Sequence, residues 1–293
     1  MSRLWLFNLD AEDELAGRPA FGIPAEAVER LARPLADGTG GFLAAGDVAL
    51  DGAGQPGASS ALRGVAWCPT PAAVRRLERA GAAVDAPPDL DVLRRANARE
   101  TFAHLDPLSG AGVVRDMDEL RRAVSVAPPK RAPDARRASA WLLRRSLGAA
   151  GRGRLVAERW DGRVEGWAAS ALAEGAVHVA PLVDVADELA LHGRVALDGE
   201  VALGRPVRHR AQGGTFRSAA LAPPGSIDPE RAERLLSAAS EVGAALAELG
   251  YHGPFGVDAF EWTDGRGARR FHAPSEVNAR YTMSFAIGAP ELV

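Results

Sequence analysis

Two segments near the C-terminal end carry acidic and amide side chains inside otherwise apolar sequence. Residues 253–262 (GPFGVDAFEW) and 271–280 (FHAPSEVNAR) both have the composition of strands, and the connection DGRGARR between them is turn-prone. Their aromatic and β-branched side chains favour strands inside a sheet over an exposed ribbon. The pattern therefore predicts an antiparallel hairpin with one charged face within a larger sheet.

The register of this hairpin decides which polar side chains meet. Side chains alternate along a strand, so Glu276, Asn278 and Arg280 share one face. Pairing about residue 267 places Asp258 opposite Glu276, with Cβ atoms about 4.5–5.5 Å apart. Two carboxylates that close repel each other unless a proton or a cation lies between them, and oxygen ligands suit Mg²⁺ or Mn²⁺. The spacing indicates a metal site; the alternative is a hairpin whose polar face simply meets water.

A glycine-rich connection is the second candidate site. Residues 141–145 (WLLRR) and 155–160 (LVAERW) are predicted strands, and 148–153 (GAAGRG) joins them. Closely spaced glycines let backbone N–H groups approach phosphate oxygens, and the flanking arginines add positive charge. The alternative is an ordinary tight connection in an arginine-rich chain, because Lys130 is the only lysine among 35 basic residues.

The rest of the chain alternates short strands with helices. Residues 4–8 and 64–68 are predicted strands, each followed by a helical segment, which is typical of a small α/β unit with a parallel sheet. The last helix has the clearest signals: Asp228 as N-cap, Pro229 at the first helical position, an apolar stripe, and Gly250 at its end. Helices are predicted over residues 24–35, 71–81, 93–105, 117–126 and 229–249.

Composition excludes several classes of protein. The 293 residues are 47% hydrophobic with a net charge of -3, which is typical of a globular protein of two or three units and argues against general nucleic-acid binding. No long apolar run predicts a membrane span and no signal peptide is recognised, so we expect a cytoplasmic protein. The single cysteine, Cys68, excludes a disulfide framework and is expected in the core. No predicted strand leads into a GxGxxG loop, which argues against a dehydrogenase.

Two further polar features stay open. The acidic run Asp10, Glu12, Asp13 and Glu14 follows the first strand, where α/β units often place substrate contacts, although such charge also simply favours a helix N-terminus. His272 has the same strand parity as Asn278. It therefore either reaches the predicted metal site, supports it from behind, or faces solvent.

Taken together, these motifs resemble the ATP-grasp superfamily. The resemblance rests on the strand that ends in a glycine-rich loop, the following LVAERW segment, and VDAF followed eighteen residues later by SEVNAR. It implies an α/β (α+β) chain with the ATP-grasp fold. An N-terminal pre-grasp α/β domain would span 1–92, a small lid domain with the glycine-rich loop 93–166, and a C-terminal antiparallel-sheet domain with the metal-binding strands 167–293.

The resemblance also implies an activity. Enzymes of this type use ATP and Mg²⁺ to join a carboxylate to an amine through an acyl-phosphate, releasing ADP and phosphate. The implied partners are small-molecule or peptide carboxylates and amines, with neither nucleic acid nor membrane, and a homodimer is one arrangement we consider. The alternative is a degenerate ATP-grasp protein without turnover, because Arg144 stands where the family usually has a lysine and a second, upstream lysine has no counterpart.

Carried over by position, the resemblance implies roles for individual residues. Asp258, Glu276 and Asn278 would ligate Mg²⁺ (or Mn²⁺), and Arg280 would hold a γ-phosphate or acyl-phosphate oxygen as the catalytic residue. Glu158 would lie on the hinge strand beside adenine, and Glu165 would contact the ribose. The implied ATP-binding set is Arg144, Gly148, Gly151, Arg152, Gly153, Glu158 and Glu165.

Overall fold

Three β-sheets organise the part of the chain that the computed structural model describes, which is residues 2–18, 41–50, 62–129, 139–148, 153–212 and 215–293. The helix predicted over 24–35 and the loop positions Gly151 and Arg152 lie outside the described residues.

The N-terminal sheet is parallel, with strand order β2-β1-β3-β4, as the strand–helix alternation predicted. Thr70 caps the helix that Pro71 opens, accepting a hydrogen bond from the Ala73 N–H. The elements are β1 (Arg3–Leu6), α1 (Ala11–Leu15), β2 (Val48–Ala49), β3 (Arg63–Ala66), α2 (Pro71–Arg79) and β4 (Ala83–Val84). An aromatic cluster under this sheet, including Trp5 and Phe42, continues into Tyr281 and Phe285 and joins the two ends of the chain.

The helix predicted over 93–105 is instead two helices, α3 (Leu90–Asn97) and α4 (Arg99–Phe102). Ala98 between them is extended, with ψ of 128°. The buried Asn97 amide donates hydrogen bonds to the Leu93 carbonyl at 2.9 Å and to the Ala279 carbonyl at 3.3 Å. This tertiary contact accompanies a turn in the chain that the helical periodicity of the sequence does not show. A new helix begins after the turn, at Arg99.

The middle sheet is antiparallel, with strand order β5-β8-β6-β7. The strand predicted over 155–160 ends at Ala157, because Asp161 caps the next helix and accepts a hydrogen bond from the Val164 N–H. The domain boundary predicted at residue 166 falls inside that helix, and the sheet itself extends to Pro181. The elements are β5 (Gly112–Val114), α5 (Met117–Ser125), β6 (Trp141–Arg145), β7 (Arg154–Ala157), α6 (Gly162–Glu174) and β8 (Val177–Pro181).

The C-terminal sheet is antiparallel, with strand order β12-β11-β9-β13-β14 and with β10 paired to β9. Asp228 caps the long helix through the N–H groups of Glu230 and Arg231, as predicted. The elements are β9 (Asp184–Val195), β10 (Val201–Leu203), β11 (Val207–Gln212), β12 (Thr215–Leu221), α7 (Pro229–Glu248), β13 (Gly253–Thr263), β14 (Arg269–Asn278) and α8 (Phe285–Gly288). None of the helices described here is both long and apolar enough to cross a lipid bilayer.

Alternation along the strands separates the core from the candidate site. Phe255, Val257 and Ala259 of β13 are buried in the same hydrophobic cluster as α7. Because successive side chains point to opposite faces, Asp258 and Phe260 project from the other face of the sheet. That face is where the polar residues singled out in the sequence meet.

Candidate functional site

A cavity of about 920 Å³ opens between the middle and C-terminal sheets. This volume is in the range of small-molecule and cofactor sites. One wall comes from β6, β7 and β8, and the other from β9, β11, β13 and β14. Side chains that line it include Arg144, Val156 and His178 on the first wall and Glu188, Phe260 and Glu276 on the second.

The hairpin register predicted from the sequence is confirmed at the site. Asp258 of β13 lies directly opposite Glu276 of β14. Nearer the turn the register shifts, so that Phe260 pairs with His272. Asn278 Nδ2 lies 3.4 Å from Asp258 Oδ2, which brings the three predicted metal-site residues together. The cavity wall, as the described residues define it, includes Glu276 but neither Asp258 nor Asn278.

The two carboxyl groups of this pair have pKa values shifted in opposite directions. Burial and the neighbouring Glu276 carboxylate raise the pKa of Asp258 to about 7. Burial also opposes ionisation of Glu276, but the Arg99 and Arg144 guanidiniums outweigh it and lower the pKa of Glu276 to about 2. Close carboxyl pairs behave this way when a cation favours one partner and the other is left to hold a proton.

Two arginines meet at Glu276 and line the cavity. Arg99 Nη1 lies 2.8 Å and Arg144 Nη1 3.8 Å from Glu276 Oε2. Burial and the nearby Arg99 lower the pKa of Arg144 to about 10. The Nε atoms of Arg99 and Arg144 are buried and find no hydrogen-bond partner among the described residues. Two cations with unused donors beside a cavity form a site suited to an anion with several oxygens.

Arg99 is a site residue that the sequence analysis missed. In the sequence it falls within one predicted helix that also contains Arg94 and Arg95, and nothing in its spacing separates it from them. The break at Ala98 distinguishes Arg99 from Arg94 and Arg95, because it places Arg99 at the start of a separate helix, α4. The clearest available signal was Asn97, a residue that often competes with helical hydrogen bonding.

Arg280 is held by groups from both ends of the chain. Its Nε donates to Glu12 Oε1 at 2.5 Å, its Nη2 to Asn278 Oδ1 at 3.0 Å, and its Nη1 to the Tyr281 carbonyl at 3.0 Å. Glu12, from the acidic run after β1, is 5% exposed. The acidic run therefore does reach the candidate site, through a carboxylate that orients Arg280.

The described ends of the glycine-rich loop lie close to these arginines. The Gly148 carbonyl accepts a hydrogen bond from Arg99 Nη2 at 3.1 Å, and the Gly153 carbonyl accepts one from the Arg145 backbone N–H at 2.9 Å. Gly153 has φ of +70°, a conformation that favours glycine. The loop therefore leaves and re-enters the sheet beside Arg99 and Arg145, while Gly151 and Arg152 lie outside the described residues.

Glu158 and Glu165 are exposed and are not part of the cavity wall formed by the described residues. Glu165 lies 3.9 Å from Arg121 on the surface of the middle unit. The cavity wall on this side is formed instead by β8 and the segment after it, including Ala180, Leu182 and Val183. The adenine and ribose contacts assigned to the two glutamates stay predictions.

The remaining residues singled out in the sequence have defined environments. His272 lines the cavity, with Nδ1 3.2 Å from Asp106 Oδ2 and its ring edge-on to Phe260. Cys68 is fully buried, and burial raises the pKa of its thiol. Asn8 holds the Cys68 backbone by hydrogen bonds to its carbonyl at 2.8 Å and from its N–H at 3.2 Å. His272 therefore belongs to the site and Cys68 to the core.

The donor set around Asp258 fits a magnesium ion. Among the described residues, no cluster of three or more His, Cys, Asp and Glu side chains has metal-binding geometry. Asp258 and Glu276 offer two carboxylates. The Asn278 side chain turns its amide nitrogen toward Asp258 and its oxygen toward Arg280, so its amide would have to turn to offer that oxygen to a metal. Magnesium in proteins is usually held by one or two carboxylates and completes its shell with water and substrate phosphates.

Comparison with known proteins identifies the fold. No family model matches the sequence, and no curated protein matches it. Among solved structures, N5-carboxyaminoimidazole ribonucleotide synthetase in its ADP complex is 14% identical over 96% of this chain and 71% of that chain, with a TM-score of 0.51. The synthetase from Thermus thermophilus is 18% identical, over 96% and 72%, with a TM-score of 0.50.

A third similar structure comes from a different enzyme. The biotin carboxylase domain of the Hydrogenobacter thermophilus 2-oxoglutarate carboxylase, crystallised with MgADP, ADP and bicarbonate, is 15% identical over 97% of this chain and 65% of that chain, with a TM-score of 0.51. At this identity the likeness concerns the fold. The fold predicted from the two C-terminal strands and the glycine-rich loop is confirmed: this chain is an α/β protein with the ATP-grasp fold of these solved structures.

Proposed function

We propose that this chain is an ATP- and Mg²⁺-dependent ligase that joins a carboxylate to an amine through an acyl-phosphate. The observation that carries the proposal is the pair Arg99 and Arg144 beside Glu276 at the cavity wall, with Asp258 opposite Glu276. Anion-binding cations next to a pair of carboxylates are what a Mg²⁺–nucleotide site requires. The ADP and MgADP complexes of the similar structures support the same use of the cavity.

The arginines would hold the ATP phosphates. Arg144 takes the place of the usual family lysine, and its planar guanidinium binds phosphate oxygens in pairs, whereas lysine acts as a point charge. Arg99 would supply a second, upstream positive charge next to Arg144. Its hydrogen bond to the Gly148 carbonyl ties that charge to the loop expected to cover the phosphates.

Asp258, Glu276 and Asn278 would hold the magnesium ion, which supplies charge neutralisation on the transferred phosphoryl group. Arg99 and Arg144 keep Glu276 ionised in the unliganded protein, as its low pKa indicates. Asp258 must lose its proton to act as a ligand, and its pKa of about 7 lets it do so near neutral pH.

In the proposed reaction an oxygen of the acid substrate attacks the γ-phosphorus of ATP, and ADP leaves. The amine nitrogen then attacks the acyl carbon, loses a proton, and displaces phosphate. Arg280 would orient an oxygen of the acyl-phosphate, and Glu12 fixes the guanidinium of Arg280 for that contact. The middle sheet covers the cavity and would keep water from the acyl-phosphate.

One observation favours a second candidate, a nucleotide-binding protein without turnover. Arg280 already has three protein acceptors, namely Glu12, Asn278 and the Tyr281 carbonyl. Of its five N–H groups, few remain for a substrate. If Arg280 keeps all three of these acceptors when nucleotide binds, it would not reach the substrate, and nucleotide would bind without phosphoryl transfer.

The test is a thermal-shift titration with a non-hydrolysable ATP analogue, with and without Mg²⁺. Nucleotide at 100 times its Kd stabilises a protein by about 2.7 kcal/mol. We expect a Mg²⁺-dependent rise in Tm for wild type that Asp258→Asn abolishes. Asp118→Asn, the same change at an exposed position of α5, is the matched control and should keep the rise. No shift in wild type at millimolar nucleotide would overturn the ligase proposal.

Phosphate release separates the two candidates. The protein is incubated with ATP, Mg²⁺ and a panel of carboxylates paired with amines. A ligase releases phosphate only when both an acid and an amine are present. Nucleotide binding without phosphate release across the panel supports the second candidate instead.

A further inference from the structure

The middle sheet presents a polar row and an apolar row of side chains to the cavity. The two rows are neighbours on β6, β7 and β8. The polar row consists of Arg144, Arg154 and His178, which pair across these strands. The row two residues further along the strands is apolar and consists of Leu142, Val156 and Ala180. This wall of the cavity therefore changes from polar to apolar within two residues.

The C-terminal sheet shows a similar change. Asp258 pairs with Glu276, and two residues further along β13 Phe260 pairs with His272. Arg144 Nη1 lies 3.8 Å from Glu276 Oε2, so the polar rows of the two sheets meet. Phe260 and His272 also line the cavity. They therefore extend it beyond the place where Arg144 meets Glu276.

The order of these rows assigns the parts of a bound nucleotide. The proposed function places the phosphates beside Arg99 and Arg144, and the acyl-phosphate beside Arg280, which follows the C-terminal end of β14. The nucleoside then extends in the opposite direction along the hairpin, toward Phe260. The Cα of Phe260 lies about 7 Å from that of Asp258, two residues along β13. An aromatic ring opposite aliphatic side chains suits a flat base.

His272 is the polar side chain next to Phe260 on β14, and Asp106 fixes which of its ring nitrogens carries a proton. Asp106 Oδ2 lies 3.2 Å from His272 Nδ1 and accepts the Ala273 N–H at 3.0 Å. Burial opposes ionisation of Asp106, but these two hydrogen bonds outweigh it and lower the pKa of the carboxyl group. An ionised carboxylate only accepts, so Nδ1 of His272 carries a proton. In the neutral ring, Nε2 is then an acceptor.

The second ring nitrogen of His272 remains available to a ligand. Nε2 makes no hydrogen bond with a described residue and, unlike His192 Nδ1, it is not sealed from solvent. The ring is held on two sides, by Asp106 and by the edge-on contact with Phe260, whose centroid lies 4.9 Å away. The cavity therefore has a fixed acceptor beside the aromatic ring of Phe260.

We propose that His272 reads the base of the nucleotide by accepting, at Nε2, a hydrogen bond from the 6-amino group of adenine, and that Asp106 is the positioning residue that fixes the ring for this contact. The inference rests on the proposed function for the presence of a nucleotide. It adds a side chain that selects the base, because guanine and hypoxanthine carry an oxygen at position 6. That oxygen is itself an acceptor, so it makes no hydrogen bond with Nε2.

Glu188 is a second acceptor near this part of the cavity. It pairs with Phe260 from the other side, whereas His272 belongs to the last strand of the sheet. A base on Phe260 therefore has one edge toward each of them. If Glu188 accepted the 6-amino group instead, variants at His272 would keep the preference for adenine, so the two acceptors are separated by experiment.

The preference is measured by calorimetric titration with Mg²⁺ and the non-hydrolysable analogues of ATP and ITP, whose bases differ at position 6. We expect wild type to bind the adenine analogue about tenfold or more tightly, the value of one good hydrogen bond in a site where the wrong base leaves it unmade. His272→Leu should bind both analogues about equally, with its affinity for the ITP analogue close to that of wild type. His104→Leu, at an exposed position outside the cavity wall, is the matched control and should keep the preference.

Two further variants test the acceptor and its support. His272→Gln places an amide oxygen near the position of Nε2, so it should keep part of the preference that His272→Leu loses. Asp106→Ala removes the carboxylate that fixes the ring, so we expect a smaller preference with little change in the affinity for the ITP analogue. Asp118→Ala, at an exposed position of α5, is its control. An unchanged preference in Asp106→Ala would show that Asp106 does not position His272.

The protonation of the ring is measurable without any ligand. Long-range ¹H–¹⁵N correlation spectra of the full ¹⁵N-labelled chain at pH 8 distinguish protonated from unprotonated ring nitrogens for its six histidines, and His272→Gln assigns the signal. We expect a proton on Nδ1 of His272 and none on Nε2, and a shift of the Nε2 signal with the ATP analogue. A proton on Nε2 at this pH would overturn the proposal. In Asp106→Ala the ring should become a mixture of tautomers.

The inference and the proposed function fail by different results. Equal binding of the two analogues by wild type, or an unchanged preference in His272→Leu, would overturn the role of His272 and leave the nucleotide site in place. Binding of neither analogue by wild type would overturn the ligase proposal together with this one.

Discussion

Glu12 and Arg280 form a buried ion pair that joins the first helix of the chain to the segment after its last strand. Arg280 Nε donates to Glu12 Oε1 at 2.5 Å across 268 residues of sequence. The side chains are 6% and 12% exposed. The N-terminal unit therefore takes part in the candidate site directly, by orienting the arginine next to Asn278.

Glu12→Gln should destabilise the fold by about 3 kcal/mol, because it leaves the Arg280 charge buried without its counter-ion. The double variant Glu12→Gln/Arg280→Gln should recover part of this loss, since no unpaired charge is left. Urea unfolding of the four proteins in the cycle measures the coupling. Strictly additive losses would show that the pair does not act as a unit.

Arg144→Lys and Arg144→Gln separate charge from geometry at the phosphate site. We expect Arg144→Gln to weaken binding of a non-hydrolysable ATP analogue by about 10- to 100-fold, the value of a hydrogen bond to a charged group. Arg144→Lys introduces the residue that is usual in the family, so its affinity for the ATP analogue should fall much less than that of Arg144→Gln. Calorimetric titration in the presence of Mg²⁺ measures both.

Arg122→Gln is the control for this series, because Arg122 is exposed on α5, away from the cavity. It should bind nucleotide as wild type does. If Arg144→Gln also binds as wild type, Arg144 does not contact the phosphates. Arg144 would then serve only to keep the Glu276 carboxylate ionised.

The sequence alone predicted the parts of the site that depend on local pattern. The strand alternation and the turn before Arg269 were enough to pair Asp258 with Glu276. The signals of an N-cap and a proline at N1 were enough to start α7 at Pro229. In these elements the information lies within about 20 residues of chain, and local propensity agrees with the tertiary structure.

The parts that were missed depend on contacts between distant segments. Arg99 begins a new helix at the cavity after a break at Ala98, and the neighbouring Asn97 bonds to Ala279, 182 residues away. His192 and His209 come together through strand pairings and Ser284. The periodicity of a single segment does not show which side chains of distant segments come into contact. For this reason the sequence predicted no site residue on β9 or β11.

Asn97→Ala should affect both stability and nucleotide binding. Asn97 Oδ1 accepts the Ala279 N–H at 3.0 Å, and Ala279 lies between Asn278 and Arg280. The alanine variant leaves that buried N–H without a partner, so we expect a loss of about 2–3 kcal/mol in the free energy of unfolding. The Mg²⁺-dependent rise in Tm with nucleotide should also shrink.

Asn97→Asp is the matched variant, because it keeps the acceptor for the Ala279 N–H and replaces the donor to the Leu93 and Ala279 carbonyls with a second oxygen. It should bind nucleotide better than Asn97→Ala at a temperature where both are folded. Full nucleotide binding by Asn97→Ala, despite its lower stability, would show that Asn97 supports the fold without positioning Asn278.

His192→Gln should change how stability depends on pH. Burial lowers the pKa of His192 to about 3, below the ordinary value of 6.5 that the unfolded chain has. Between these values the unfolded state binds more protons than the folded state, so the free energy of unfolding falls as the pH drops below 6.5. One such histidine contributes a slope of about 1.4 kcal/mol per pH unit. Glutamine at this position keeps an amide donor toward Ser284 and does not titrate.

We therefore expect the wild-type slope to exceed that of His192→Gln by about half a proton at pH 6.5 and by nearly one proton at pH 5, in urea unfolding at a series of pH values. His178 and His209, whose pKa values burial also lowers, act in the same direction in both proteins. Asp258 opposes them in this window, because its raised pKa makes the folded state bind the extra proton. These contributions cancel in the difference between the two proteins. Equal slopes would mean that burial does not lower the pKa of His192 in the folded protein.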